Sequence, residues 1–595
     1  MFGFHRYGPA ANMTSKQRLL SYYKKYWKPM TTGSICVMLS AGIGLLGPIV
    51  VRYAIDGIDK ATPESVTPIL LRYGVIILAI AMAKGIFLYS QRMIMVGMSR
   101  DIEYDLRNEF YGHLQSLPPH FYQEYRTGDL MARATNDLNA VRMLAGPAIM
   151  YGEGTLFNTA IALPLMFFIS WKLTLLALCS LPFVSLATNF FAKRIHQRFE
   201  SIQEYFSTIT AQAQENFSGV RVVRAYAQET QEIEIFEKMN KEFVGRNMKL
   251  IKLTGIFHPM LQALVGLGFV AVLWYGGRLT LAGEMSVGQY VQFNLYLVML
   301  IWPMIALGWV VNLFQRGMAS MNRINAVLEV KPAITDERVG KNIGDVYGEI
   351  EFRNLTFTYP GTERPVLKDI NLKIKHGQTV AIVGHTGSGK STLVNLVPRL
   401  IDAEAGQVLI DGHPIVNVPL EVLRSNIGYV PQETFLFSET VGGNIAFGTP
   451  HATPEEVKDA AESAGLLDDI EGFPKGFDTV VGERGITLSG GQKQRTAIAR
   501  AVIRHPKILL LDDSLSSVDT YTEEKILSHL RGIMSGRTSI IVSHRVSTVK
   551  DADLIVVLQD GEIVERGTHD ELLRHDGLYA QLHEEQLLEE ELAAS

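Results

Sequence analysis

The sequence predicts a multidomain protein: a six-helix α transmembrane domain with long cytoplasmic helical extensions, followed by an α/β P-loop domain. Three observations predict it. Six apolar runs, each long enough to cross a bilayer, lie before about residue 320. A glycine-rich motif at 384–392 sits between an apolar strand and a helix. After Leu328 the pattern changes from long helical runs to short strands punctuated by turns.

The composition fits this division. Apolar residues make up 47% of the 595 residues and charged residues 20%, but the apolar ones are concentrated in the first half. The net charge of −5, with no basic cluster in the second half, argues against a nucleic-acid partner. Cys36 and Cys179 both fall inside apolar runs and read as packing residues, outside any disulfide framework or metal site.

Residues 1–30 lack the short apolar core of a cleavable signal. Lys16, Arg18, Lys24, Lys25 and Lys28 mingle there with Tyr22, Tyr23, Tyr26 and Trp27. That mixture suits an amphipathic helix lying on the cytoplasmic face of a lipid bilayer.

The membrane domain is expected over 31–328, with spans near Thr31–Tyr53, Ile69–Val96, Leu144–Ile169, Leu173–Ala192, Ile256–Gly276 and Gly288–Leu313. At 1.5 Å per residue each covers about 30 Å of hydrocarbon. Pro48, Pro164, Pro182, Pro259 and Pro303 lie inside them, as membrane helices tolerate. Arg100, Arg107, Arg126, Arg133 and Arg142 mark the connection after the second span, and ten Lys and Arg mark 193–252. The short turns near Lys60, Lys172 and Arg278 are poor in basic residues, so the positive-inside rule places the long connections, and both chain ends, in the cytoplasm.

Helical apolar spacing continues through Ser99–Leu117 and Gln197–Met248, so spans two to five extend well beyond the membrane. Pro118-Pro119 and Phe217-Ser218-Gly219 break these extensions, predicting transverse turns near 118–128 and 215–228 that could dock on another domain; plain solvated hairpins are the alternative.

A linker is expected over 329–347, the second domain over 348–587 and a tail over 588–595. Ile350, Phe352, Leu355 and Phe357 suggest an edge strand, and Val408–Gly412 and Ile555–Val564 suggest hairpins. Thr379–Val383, Ile508–Leu511 and Ser539–Val542 read as short buried strands.

The run Gly384-His385-Thr386-Gly387-Ser388-Gly389-Lys390-Ser391-Thr392 follows one of these strands and opens a helix predicted over Ser391–Leu400. Its glycines let backbone N–H groups and the helix N-terminus face phosphate oxygens. Lys390 is placed to reach the β- and γ-phosphates, and Ser391 to ligate Mg²⁺. Ile508–Leu511 ends in Asp512, a second ligand for the metal through water. Leu488-Ser489-Gly490-Gly491-Gln492 is a further phosphate-friendly turn opening a helix.

These three elements, with six spans before them, resemble an ABC exporter half-transporter from about Ser15 to Leu587. Thr127–Arg133 and Arg323–Glu329 add to the likeness in the membrane domain. The resemblance implies ATP and Mg²⁺ as cofactors and assigns further roles. Tyr359 would stack on adenine, and Gln432 would sense the Mg²⁺ and the docked membrane domain. Gly482-Glu483-Arg484-Gly485 would touch the cytoplasmic helices, Ser516-Ser517-Val518-Asp519 would form the D-loop, and His544 would be the switch histidine.

Asp513 departs from the family pattern, which has Glu as general base after the Asp of Walker B. One methylene less withdraws the carboxylate by about 1 Å, a misplacement that costs up to about 10²-fold, against the roughly 10²–10⁴-fold that general-base catalysis supplies. In this family the signature turn completes the opposite subunit's site, so a second half-transporter is implied as partner. The favoured arrangement is a heterodimer in which this chain keeps a degenerate site; a homodimer with a working Asp base is the alternative. A regulatory or channel-like membrane protein gated by ATP is the rival from another class.

The expected substrate is an amphipathic drug or lipid, with a peptide as second choice. Phe293, Asn294, Tyr296, Met299, Trp302, Met304, Trp309 and Asn312 lie on the last span, which the resemblance places beside the central cavity. Arg72, Lys84 and Arg92 on the second span are expected to face protein, water or the interface. The expected location is a cell membrane, with a bacterial inner membrane favoured.

Overall fold

The structure is a computed structural model that describes residues 13–336, 346–449, 451–482, 485, 487–514 and 520–594. It divides into two compact units: 1–111 with 128–329, and 112–127 with 330–595.

The first unit is helical. Among the described residues, five helices have the length and composition to span a membrane: Trp27–Asp59, Pro63–Ser116, Thr127–Ile169, Glu229–Leu281 and Val287–Leu328. The fourth predicted span lies in one unbroken 48-residue helix, Trp171–Ser218. Helices of 42 to 54 residues exceed what a bilayer needs, so the extensions inferred from helical spacing are continuous with the spans. Pro48, Pro164, Pro259 and Pro303 all sit inside helices. Thr127–Ile169 winds as a π-helix at Arg133–Asp137 and again at Leu144–Ala148, where Pro147 lacks the N–H of a regular turn.

The breaks fall where the sequence placed them. The second long helix ends at Ser116 and a short helix follows at Pro119–Glu124; the fourth ends at Ser218 and Val220–Ala225 follows.

One expectation for the membrane domain is corrected. Phe293 and Tyr296 are fully buried, and the Tyr296 hydroxyl donates to the Leu45 carbonyl at 2.9 Å; they pack helices together and do not line a cavity. The N-terminal helix Ser15–Lys25 forms with a Thr14–Gln17 capping box, and one side of it is engaged by protein carboxylates. Arg18 is buried, pairs with Glu109 and donates to Asn325 Oδ1 at 2.8 Å, while Tyr22 also donates to Glu109 and Tyr26 to Asp105. On the second span, Lys84 packs against Gly44 and the Arg72 guanidinium lies over the Tyr73 ring.

The second unit holds two sheets. Its strands are β1 (Ile350–Phe357), β2 (Leu367–Ile374), β3 (Thr379–Val383), β4 (Val408–Ile410), β5 (His413–Pro414), β6 (Ile427–Val430), β7 (Ile508–Asp512), β8 (Thr538–Val542), β9 (Leu554–Gln559) and β10 (Glu562–Gly567). An antiparallel sheet runs β2-β1-β4-β5, so β1 is interior and not the edge strand that its alternating pattern suggested. The other sheet runs β10-β9-β3-β8-β7-β6, parallel from β9 to β6. β3, β7 and β8 are largely apolar in their interiors because they are buried on both faces. Ile382 and Asp512 both register with Val542, so the three strands end at one level and release their loops on one side of the sheet.

Candidate nucleotide site

The loop leaving β3 is shaped by two glycines. Gly384 has φ 144°, and a Cβ there would meet the Leu558 carbonyl oxygen at 2.1 Å. Gly389 has φ 100° and caps the helix Lys390–Leu396, shorter than the helix predicted to Leu400. Lys390 is buried, and its Nζ donates to the carbonyls of Gly384 and His385 at 2.8 Å each. The ammonium is thereby stretched back across the loop whose N–H groups face a phosphate in this motif. Burial holds its pKa below the ordinary lysine value, with Asp513 and Asp512 opposing. Ser388 Oγ, inside the loop, is buried with no partner among the described residues, a polar atom suited to a ligand oxygen.

β7 delivers Asp512, whose Oδ1 accepts from Ser391 Oγ at 3.0 Å. Burial raises its pKa, and the neighbouring Asp513 adds to the rise. Among the described residues no cluster of three or more His, Cys, Asp or Glu could hold a metal. Ser391, Asp512 and Gln432 instead supply a few oxygen donors, the sparse set that Mg²⁺ takes alongside phosphate and water.

Asp513 is buried at φ 46°, and its N–H donates to the Val542 carbonyl at 2.9 Å. Gln432, just beyond β6, donates from Nε2 to Asp513 Oδ2 at 3.3 Å. His544 follows β8; desolvation first, then the Lys390 charge, holds its imidazole below the usual range, against the pull of Asp513. The structure thus gathers Lys390, Ser391, Gln432, Asp512, Asp513 and His544, residues spread over 155 positions of sequence.

Tyr359 lies edge-on to Phe357, and its hydroxyl is 3.1 Å from Thr392 Oγ1, which ties the ring to the P-loop helix. In the signature turn, Ser489 accepts from Gln492 N–H while Gln492 accepts from Ser489 N–H, a capping box that starts the helix Gly490–Val502. Gln492 also donates to Asp469 at 3.0 Å, Leu488 and Gly491 are buried, and Ser489 and Gly490 are exposed. Glu483, Arg484 and the D-loop Ser516–Asp519, including Asp519, lie outside the described residues.

Residues 30–304 match the family described as ABC transporter transmembrane region, and residues 367–516 match the family ABC transporter. A "probable multidrug resistance ABC transporter ATP-binding/permease protein YheI" of Bacillus subtilis is 40% identical over 95% of this chain and 97% of its own length. The chain belongs to the ABC transporters. An "ATP-dependent lipid A-core flippase" of Syntrophus aciditrophicus is 35% identical over 97% of this transporter and 95% of its own length. A solved structure, that of a bacterial Atm1-family ABC exporter with ATP bound, superposes with a TM-score of 0.74 at 28% identity, covering 93% of this transporter and 97% of that chain. The protein is a multi-pass membrane ABC exporter whose second domain binds ATP and couples its hydrolysis to transport.

Sequence reasoning missed the part of the transporter behind His544. Tyr579, Leu582 and Gln586 of the last helix, Leu578–Ala594, line a cavity of about 110 Å³ with Gly384, His385 and His544. Their spacing of three and four residues was the available signal.

Proposed function

We propose that this chain is one subunit of a heterodimeric exporter in which its own ATP site turns over slowly and its signature turn serves the partner's site. The observation that carries the reading is Asp513, a shortened carboxylate directly after the Walker B Asp512. Lys390 would bind the β- and γ-phosphates, Ser391, Asp512 and Gln432 would hold Mg²⁺, and Tyr359 would stack on the base. The Mg²⁺, when bound, neutralises charge on the β- and γ-oxygens. His544, held neutral, would meet the γ-phosphate. Exposed Ser489 and Gly490 would reach the nucleotide of the opposite subunit, with Leu488, Gly491 and Gln492 fixing the turn. Both transverse turns would dock the membrane domain, with both termini in the cytoplasm of a bacterial cell and the spans in its inner membrane. The substrate would be an amphipathic drug or lipid, the two classes named for the relatives above.

A second reading has one observation in its favour. Gln432 already bonds the Asp513 carboxylate, so a homodimer with a working Asp base has a candidate geometry. Purification of the tagged chain from its native host separates the two. A stoichiometric second half-transporter carrying Glu after its Walker B Asp supports the heterodimer, and a pure dimer of this chain overturns it.

A further inference from the structure

The helix Leu578–Ala594 carries none of the nucleotide motifs, yet it grips the loop that presents His544. Gln586 Oε1 accepts from the Val546 N–H at 2.7 Å, and its Nε2 donates to the His544 carbonyl. Val546 opens the helix Val546–Val549, whose first N–H has no partner within that helix. The intervening Arg545 N–H donates to Ser543 Oγ at 3.0 Å. The turn leaving β8 is thus pinned at three successive residues, two of them by one side-chain amide. An amide suits the task because it donates and accepts at once.

The helix is itself anchored. The N–H groups of Leu578 and Tyr579 donate to the Glu565 carboxylate at 2.5 and 3.2 Å, which caps its start. Tyr579 is fully buried, and its hydroxyl lies 2.8 Å from His569 Nδ1. Tyr579, Leu582 and Gln586 share one helical face, and that face walls the cavity whose other side is the P-loop and Ser543–His544. A fixed strut therefore ends on the backbone of His544.

We propose that Gln586 is a positioning residue for His544, holding the peptide planes around it so that the imidazole stays aimed at the γ-phosphate. This rests on the nucleotide-site reading above. The consequence is selective: losing Gln586 should impair recognition of the third phosphate and leave the first two unaffected.

The test uses the purified full complex and radiolabelled, photoreactive ATP and ADP analogues, crosslinked at this chain's P-loop, a readout that does not depend on turnover. His544→Ala should lower the preference for ATP over ADP roughly tenfold, as expected for one lost hydrogen bond to a charged group. Gln586→Leu should lower it by a similar factor with ADP affinity unchanged, and the double variant should fall no further than His544→Ala alone. Gln586→Glu keeps the acceptor for Val546 but places a carboxylate against the His544 carbonyl; it should lose the same preference, and it carries the test if the Leu variant does not assemble. Equal losses for ATP and ADP, multiplying losses in the double variant, or an unchanged preference in Gln586→Glu overturn the proposal. If His544→Ala has no effect, the nucleotide-site reading fails and this inference falls with it; if only the Gln586 variants are silent, the inference fails alone.

Discussion

The side-chain amide of Gln432 donates to Oδ2 of Asp513 across 3.3 Å, linking the loop after β6 to the end of β7. Neighbouring parallel strands make that contact possible, since Tyr429 registers with Leu510 and Val430 with Leu511. The buried Asp513 side chain is thereby turned toward the loop after β6.

Lys390→Ala removes the buried ammonium and leaves the carbonyls of Gly384 and His385 without their donor. A charge-assisted contact contributes about 1.5–3 kcal/mol, so nucleotide affinity at this P-loop should fall by about 10- to 100-fold. Photolabelling with an ATP analogue reads it, and undiminished labelling would remove the P-loop assignment.

Ser489→Arg places a long cation on an exposed turn and breaks the capping box with Gln492. The lost cap costs about 1 kcal/mol, too little to unfold the domain. Turnover of the complex should nevertheless be abolished while this chain's own nucleotide occupancy is retained. ATPase activity measured beside photolabelling distinguishes this from simple loss of binding, which would lower both.

Asp137 is buried and accepts from Arg323 and from Ser320 Oγ, the latter at 2.9 Å. Burial pushes its carboxyl up, but the hydrogen bonds from Arg323 and Ser320 and the charges of Arg323 and Arg133 outweigh it and hold the pKa below the usual value. With the folded pKa depressed, the stabilisation is complete above the unfolded value of about 4 and is lost only as pH falls through the folded one. Asp137→Asn should therefore cost about 1–2 kcal/mol, less than for a fully buried pair because the Arg323 side chain is 51% exposed. The deficit in thermal midpoint should be the same at about pH 6 and pH 8; a deficit that changes across that interval contradicts the assignment.

What the sequence disclosed follows the range of the forces involved. The long apolar helices, the breaks at Pro118-Pro119 and Gly219, and the turn at Asp560-Gly561 depend on local composition, and each appears in the fold. The P-loop was legible because the phosphate-binding backbone needs glycine at fixed positions. The interior place of β1 was hidden because strand order is set by partners, here β2 and β4, and not by alternation. Phe293 and Tyr296 look the same in sequence whether they face a cavity or, as found, a helix neighbour. The left-handed backbone of Asp513 has no local signature, and the spacing of Tyr579, Leu582 and Gln586 marks a shared helical face without revealing that Gln586 reaches His544.

The departure at Asp513 yields the last prediction. If this site is the slow one of an unequal pair, its carboxylate contributes little to turnover, and Asp513→Ala should slow ATP hydrolysis by the complex less than about threefold, well short of the roughly 10²–10⁴-fold that a working general base provides. Replacing the glutamate that follows the partner's Walker B aspartate should stop hydrolysis almost completely, since it would remove the one well-placed base. In a homodimer no such glutamate exists, and Asp513→Ala should then eliminate hydrolysis. Steady-state ATPase of complexes carrying each single substitution, with subunit stoichiometry determined on the same samples, decides between them. A stable dimer of this chain alone, silenced by Asp513→Ala, would make Asp513 the working base and end the asymmetric mechanism.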